Sequence, residues 1–170
     1  MSARTATPES AFPTARERSA AYALRPLAPG QGGAFALSAI ERAELVKRGL
    51  PARAVQEMSA AMGVPREQLM RAVGLARSTV ERKLAARGRL SESESEKLGG
   101  LSRLIGQVDA MVRESGAAPS GFDAARWFAA WMAEPVAALG GLRPQQLLDT
   151  ADGREALATL LLQMRSGVYA

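Results

Sequence analysis

Residues 131–153 read Trp131-Met-Ala-Glu-Pro135-Val-Ala-Ala-Leu-Gly140-Gly141-Leu-Arg-Pro144-Gln-Gln-Leu-Leu-Asp149-Thr150-Ala-Asp152-Gly153, and the punctuation of this stretch decides the fold class. Pro135 suits the first turn of a helix, where no amide hydrogen is needed and its φ is already helical. Gly140-Gly141 stops that element, and Pro144 starts another turn through Leu147-Leu148. Asp149, Thr150 and Asp152 are capping residue types for a last helix. Its apolar face, Leu157, Leu160, Leu161 and Met164, falls at i, i+3, i+4, i+7. Gly167 suits a C-terminal stop and leaves Val168-Tyr169-Ala170 as a short apolar tail.

Outward from there the chain keeps the same grammar. Phe122 to Met132 holds Trp127–Trp131 and Phe128–Met132 at i, i+4, which shares helix faces and marks core. Gly116 to Gly121 is a loop. Leu90-Ser91-Glu-Ser-Glu94 is a capping box opening a helix over about 92–115. Leu98, Leu101, Ile105, Val108 and Val112 follow a 3-4-3-4 spacing, which fits either an ordinary core helix or a short dimer seam. Ser38-Ala-Ile-Glu41 is a second capping box, for a helix that ends at Gly49. Pro51 starts a helix with Val55, Met58 and Met62 inward and Gly63 as its stop. Pro65 starts another, with Leu69, Met70 and Val73 inward and Gly74 closing it. A fourth runs from about Arg77 to Arg87 on Val80 and Leu84. No strand pattern emerges, so the expected fold class is all-α. Residues 1–36, rich in Ala, Ser, Thr, Pro and Gly, read as a loosely ordered arm with at most a helical turn near 15–24.

Composition narrows the chemistry. With no cysteine and no histidine in 170 residues, disulfides, thiolate nucleophiles, Cys/His zinc sites and histidine general bases are excluded. No catalytic residue, metal site or cofactor site is drawn from the sequence. No apolar run reaches the ~18 residues of a membrane span, and no continuous apolar leader opens the chain, so the expected address is cytoplasmic. The net charge of +5 is segmental. Residues 77–89 carry five bases against one acid, whereas residues 91–170 carry seven bases against ten acids. A basic middle and a mildly acidic remainder point to two jobs in one chain.

The basic segment sits where a helix-turn-helix is expected. Arg66 to Ala85 places Gly74 in a tight turn, with Leu69, Val80 and Leu84 as apolar locks. In that frame Arg77, Ser78, Thr79, Arg82, Lys83 and Arg87 are the DNA-binding candidates, because phosphates need cations and base edges need Arg, Lys or amide side chains. A rival frame turns at Gly63 and offers Arg66, Gln68 and Arg71 beside Glu67. A solvated basic face with no ligand is the plain alternative to both.

Gly49-Leu-Pro51, Arg77-Ser-Thr-Val-Glu-Arg-Lys83 and Leu90-Ser-Glu-Ser-Glu-Ser-Glu96 resemble the Xre-like helix-turn-helix of Xre/MbcA/ParS-type antitoxins. The stretch quoted first, ending in Gly-Val-Tyr-Ala, resembles their C-terminal toxin-binding domain. Ala76, where a polar residue is common, and Gln145-Gln146, where an apolar one is common, depart from the pattern. The resemblance implies residues 37–90 as the DNA-binding domain and 91–170 as a toxin-binding helical bundle. It further implies a cognate RES-domain toxin that consumes NAD⁺ or transfers its ADP-ribose. Gly167, Val168, Tyr169 and Ala170 would plug that toxin's NAD⁺ pocket, and a homodimer would repress the operon through operator DNA. A regulator with a C-terminal dimerisation domain and no toxin is the alternative.

Overall fold

A computed structural model describes residues 33–116 and 119–165. The arm before residue 33 and the tail residues Gly167, Val168, Tyr169 and Ala170 lie outside the described residues. Among those described, the chain is helical: α1 Ala39–Arg48, α2 Ala54–Met62, α3 Arg66–Ala72, α4 Arg77–Ala85, α5 Glu92–Glu114, α6 Ala124–Trp131 and α7 Ala151–Arg165. Short 3-10 turns occupy Gly33–Ala36, Ala137–Leu139 and Pro144–Leu147.

Both capping boxes form. Ser38 accepts from the Glu41 amide and Ser91 from the Glu94 amide, while each glutamate reaches back to the serine amide. Asp123 caps α6 through the Ala125 and Arg126 amides. The Thr150 hydroxyl, not Asp149, caps α7 by accepting from Gly153 at 3.1 Å. The Pro51 expectation is corrected: α2 starts at Ala54, because Leu50 to Ala52 pair with the chain returning from α4. Leu90 donates to the Leu50 carbonyl at 2.8 Å, Ala52 to Gly88 at 2.9 Å, and the Arg89 guanidinium to Gly49 at 2.6 Å. Gly49, at φ +74°, is needed here, since a Cβ would collide with the Leu90 carbonyl.

α5 is the spine. It packs against Gly33–Ala36, α1, α6 and α7, and one buried cluster runs from Leu37 to Leu161 around it. Leu98, Leu101, Ile105 and Val108 are all buried within this chain's own core. The stripe is therefore core and not a dimer seam, because its holes are filled by α1, α6 and α7. Polar residues on the same helix are buried too, and each is used. Ser95 accepts from the Leu50 amide, Ser102 from Ala34, and Gln107 donates to the Ala158 carbonyl. Ala34 and Leu37 are themselves buried, so the end of the segment read as an arm is part of the packed structure.

On α7, Leu157, Leu160 and Leu161 face the core as expected, but Met164 is 38% exposed. Among the described residues no helix is long and apolar enough to cross a membrane.

Candidate functional site

α3 and α4 form the helix-turn-helix frame that turns at Gly74. The turn closes α3 with two bonds, Gly74 to the Arg71 carbonyl at 3.2 Å and Leu75 to Met70 at 2.8 Å. Gly74 takes φ +67°, and Leu69, Met70, Val73, Leu75 and Val80 are buried beneath it. From the far half of the chain, Lys97 Nζ donates to the Gly74 carbonyl at 2.8 Å. A Cβ on Gly74 would lie 3.0 Å from Asp149 Cβ. The Asp-Thr pair that opens α7 is thus split: Thr150 caps its own helix and Asp149 abuts the turn.

With Val80 buried at 0° on the helical wheel, Ser78, Arg82 and Ala85 lie at about 160°, 200° and 140°, at 100° per residue. They form the outer ridge of α4, and all three are exposed. Ala85, being small, allows close approach. Arg77 in the first turn is exposed and pairs with Glu67 at 2.7 Å, while Arg66 crosses to Glu81 at 3.0 Å. The exposed Arg77–Glu67 pair is worth little and leaves that guanidinium open to exchange for a phosphate, whereas Arg66 and Glu81 are half-buried. Thr79 is half-buried at the flank. Lys83 sits apart from this ridge, its ammonium bonded to the Glu94 carboxylate at the start of α5, where both side chains are largely buried. Burial alone would raise the Glu94 carboxyl. The Lys83 ammonium and the Ser91 amide and hydroxyl outweigh it and hold the pKa below the ordinary value. The rival residues Gln68 and Arg71 belong to α3, which follows the left-handed turn at Gly63; Gln68 is half-buried and Arg71 exposed.

Ala76 stands at the N-cap of α4 in extended conformation and offers no side-chain acceptor. Arg87 follows the C-cap at φ +49°, the one non-glycine with positive φ among the described residues.

In the C-terminal half, Phe128 and Met132 fill the core, while Trp127 and Trp131 stack half-buried with centroids 5.9 Å apart. The Gly140-Gly141 loop is closed by Val136 donating to Leu142 and Gln145 to Met132. Gln146 has a role at its unusual position: its side-chain oxygen accepts from the Arg143 amide at 2.9 Å and closes the 3-10 turn. Leu142 and Leu162 remain about half exposed, so this half offers apolar surface on its loop and on its last helix.

Sequence reasoning passed over the residues that fasten this half to α5. Arg154 is 3% exposed; its Nη1 donates to the Leu148 carbonyl at 2.7 Å, and its Nη2 meets both Glu96 oxygens at 2.6 Å. Gly100 makes room for it, since a Cβ there would lie 2.5 Å from Arg154 Nε. The signal was present: a Gly99-Gly100 pair inside a long helix costs stability unless something approaches closely. A hollow of about 370 Å³ beside this seam is lined by Arg42, Arg103 and Arg154. Arg154 pairs with Glu96 and Arg103 with Glu155, while the Arg42 guanidinium donates to the Leu37 carbonyl.

Residues 41–103 match the family described as antitoxin Xre-like helix-turn-helix domain. Residues 120–167 match the antitoxin Xre/MbcA/ParS C-terminal toxin-binding domain. A relative in Sphingobium, the "Prs ADP-ribosylating antitoxin", is 37% identical over 136 residues, covering 80% of this chain and 85% of that protein. "Antitoxin Xre" of Yersinia enterocolitica is 24% identical over 125 residues, covering 73% and 78%.

Proposed function

This chain belongs to the Xre/MbcA/ParS antitoxin family, and on that premise we propose that it neutralises a RES-domain toxin and represses their shared operon. It works in the cytoplasm by binding, with no catalysis of its own. The name of the Sphingobium relative favours a toxin of the ADP-ribosylating kind.

The observation that carries the reading is the order of two surfaces in one chain: a cationic, weakly paired α4 ridge, then a toxin-binding half whose last helix leads into Gly167-Val168-Tyr169-Ala170. On DNA, Ser78 and Arg82 read base edges, with Arg77, Thr79 and Arg87 on the flanks. Lys83 serves the same surface by tying α4 to α5 through Glu94. The operator is bound as a homodimer through a surface other than the buried α5 stripe. On the toxin, Val168 and Tyr169 supply apolar anchors, and Gly167 supplies the backbone freedom that such an insertion needs.

The test is growth of cells expressing the neighbouring toxin gene, with NAD⁺ measured alongside. The full chain should rescue growth and copurify with the toxin. Deleting residues 167–170 should leave folding and operator binding intact but abolish rescue. Full rescue by the truncated chain would overturn the plug, and a neighbouring gene product that never copurifies would leave a regulator without a toxin.

A further inference from the structure

We propose that the cleft at the C-terminal end of α4 is a seat for a nucleic-acid backbone phosphate, with Arg87 and Arg53 as its cations and Gln56 as a neutral donor. This rests on the DNA-binding reading of α4 and adds to it a contact that fixes where the duplex lies.

The cleft, of about 470 Å³, is lined by Pro51, Arg53, Gln56, Leu84, Arg87 and Gly88. Its chemistry is one-sided. Arg53 has its side chain 62% exposed and meets only Glu57, one turn on at 3.5 Å, a weak surface pair. Among the described residues no carboxylate lies within ion-pair distance of Arg87, and the Gln56 side chain is exposed.

Backbone geometry adds a second, independent observation. Arg87 occupies the position after the C-cap of α4, with Gly88 donating to the Lys83 carbonyl at 2.8 Å and Arg87 to Leu84 at 3.1 Å. That closure normally places glycine where Arg87 stands, because the left-handed conformation is unfavourable for any residue with a Cβ. All the other positive-φ positions among the described residues are glycines. A glycine is even available next door, at Gly88, yet an arginine holds the strained site. Strain of this kind persists where the side chain has a use that the fold alone does not supply.

Reach agrees. From Ser78 to the C-cap Ala86, α4 rises about 12 Å at 1.5 Å per residue, close to the ~12 Å width of a major groove, and Arg87 follows directly. A duplex that takes Ser78 and Arg82 into its groove thus brings one rim strand to Arg87 and the cleft. An arginine there contacts the phosphodiester without reading sequence.

The experiment measures binding of the full chain to the promoter fragment upstream of its own gene and to an unrelated duplex of equal length, across a salt series. Arg87→Gly removes the cation and relieves the backbone, so its melting temperature should equal or exceed that of wild type. Its affinity should fall by the same factor on both duplexes, with the slope of log K against log salt smaller by about 0.9, one phosphate contact. Arg87→Lys should restore the slope. Because one phosphate is shared, Arg53→Ala combined with Arg87→Gly should lower the slope no further than about one contact. Arg82→Ala is the control and should weaken the promoter fragment selectively. If Arg82→Ala does so while Arg87→Gly changes nothing, the phosphate seat is wrong and the DNA reading stands. A loss confined to the promoter fragment on Arg87→Gly makes Arg87 a base reader and also overturns the seat. If wild type binds neither duplex, both readings fall.

Discussion

Arg82 on α4 and Arg154 on α7 are the same side chain put to opposite uses. Arg82 stands on an exposed ridge with no carboxylate partner among the described residues, whereas Arg154 is 3% exposed and spends its guanidinium on Glu96 and the Leu148 carbonyl. A buried charge persists only if it is paired and hydrogen-bonded, so the α5–α7 seam consumes its cation in holding the fold. An exposed charge contributes almost nothing to the fold and stays available to a partner. The basic character of the chain is thus divided between architecture and recognition, and burial draws the line between them.

The largest test of that division is the pair of alanine substitutions. Arg154→Ala should destabilise by about 3 kcal/mol or more, because it orphans the Leu148 carbonyl and empties the seam. Arg154→Lys should recover only part, since one ammonium replaces the two nitrogens that separately reach Leu148 and Glu96. Arg82→Ala should stay within about 0.5 kcal/mol of wild type. Urea unfolding followed by circular dichroism reads all three, and near-equal effects of the two alanines would break the comparison.

A smaller effect sharpens it through two adjacent glycines of α5. Gly100→Ala drives a methyl to 2.5 Å from Arg154 Nε and should cost about 1–3 kcal/mol by displacing the guanidinium. Gly99→Ala meets nothing within 4 Å and should stabilise by about 0.5–1 kcal/mol through helix propensity. Opposite signs in thermal unfolding of neighbouring, chemically identical changes would locate the seam to one residue.

The smallest effect concerns Lys83–Glu94, which sits between the two extremes. Because the Glu94 pKa is depressed in the folded chain, its contribution is present above the unfolded carboxyl range and is lost as pH falls through the folded value. Wild-type stability should therefore drop as pH is lowered below about 4, and Glu94→Gln should flatten that part of the profile. A Glu94→Gln profile parallel to wild type would show that the pair does not couple α4 to α5.

Much of this protein was legible as sequence because the rules involved are local. Ser38, Ser91 and their glutamates three residues on are capping boxes wherever the chain runs, and Gly49, Gly63, Gly74 and Gly140 stop elements with the positive φ they alone adopt cheaply. The stripes Val55–Met58–Met62 and Leu157–Leu160–Leu161 followed from the 3.6-residue period. The cluster of cations on α4, and the motif that resembles the antitoxin family, also needed no coordinates.

What only the tertiary structure decided was which groups are spent and which are free. The Leu98–Val112 stripe leaves a dimer seam open beside the core reading until Leu98 to Val108 are seen buried under α1, α6 and α7, with Val112 half-buried at the end. Lys83 and Arg82 are adjacent bases, and nothing local says that Glu94 takes one and leaves the other. Asp149 reads as a cap until Gly74, seventy-five residues earlier, is found against it. Periodicity and capping are encoded within a few residues, whereas burial and charge pairing depend on which helix crosses over which, a property no single stretch of the chain contains.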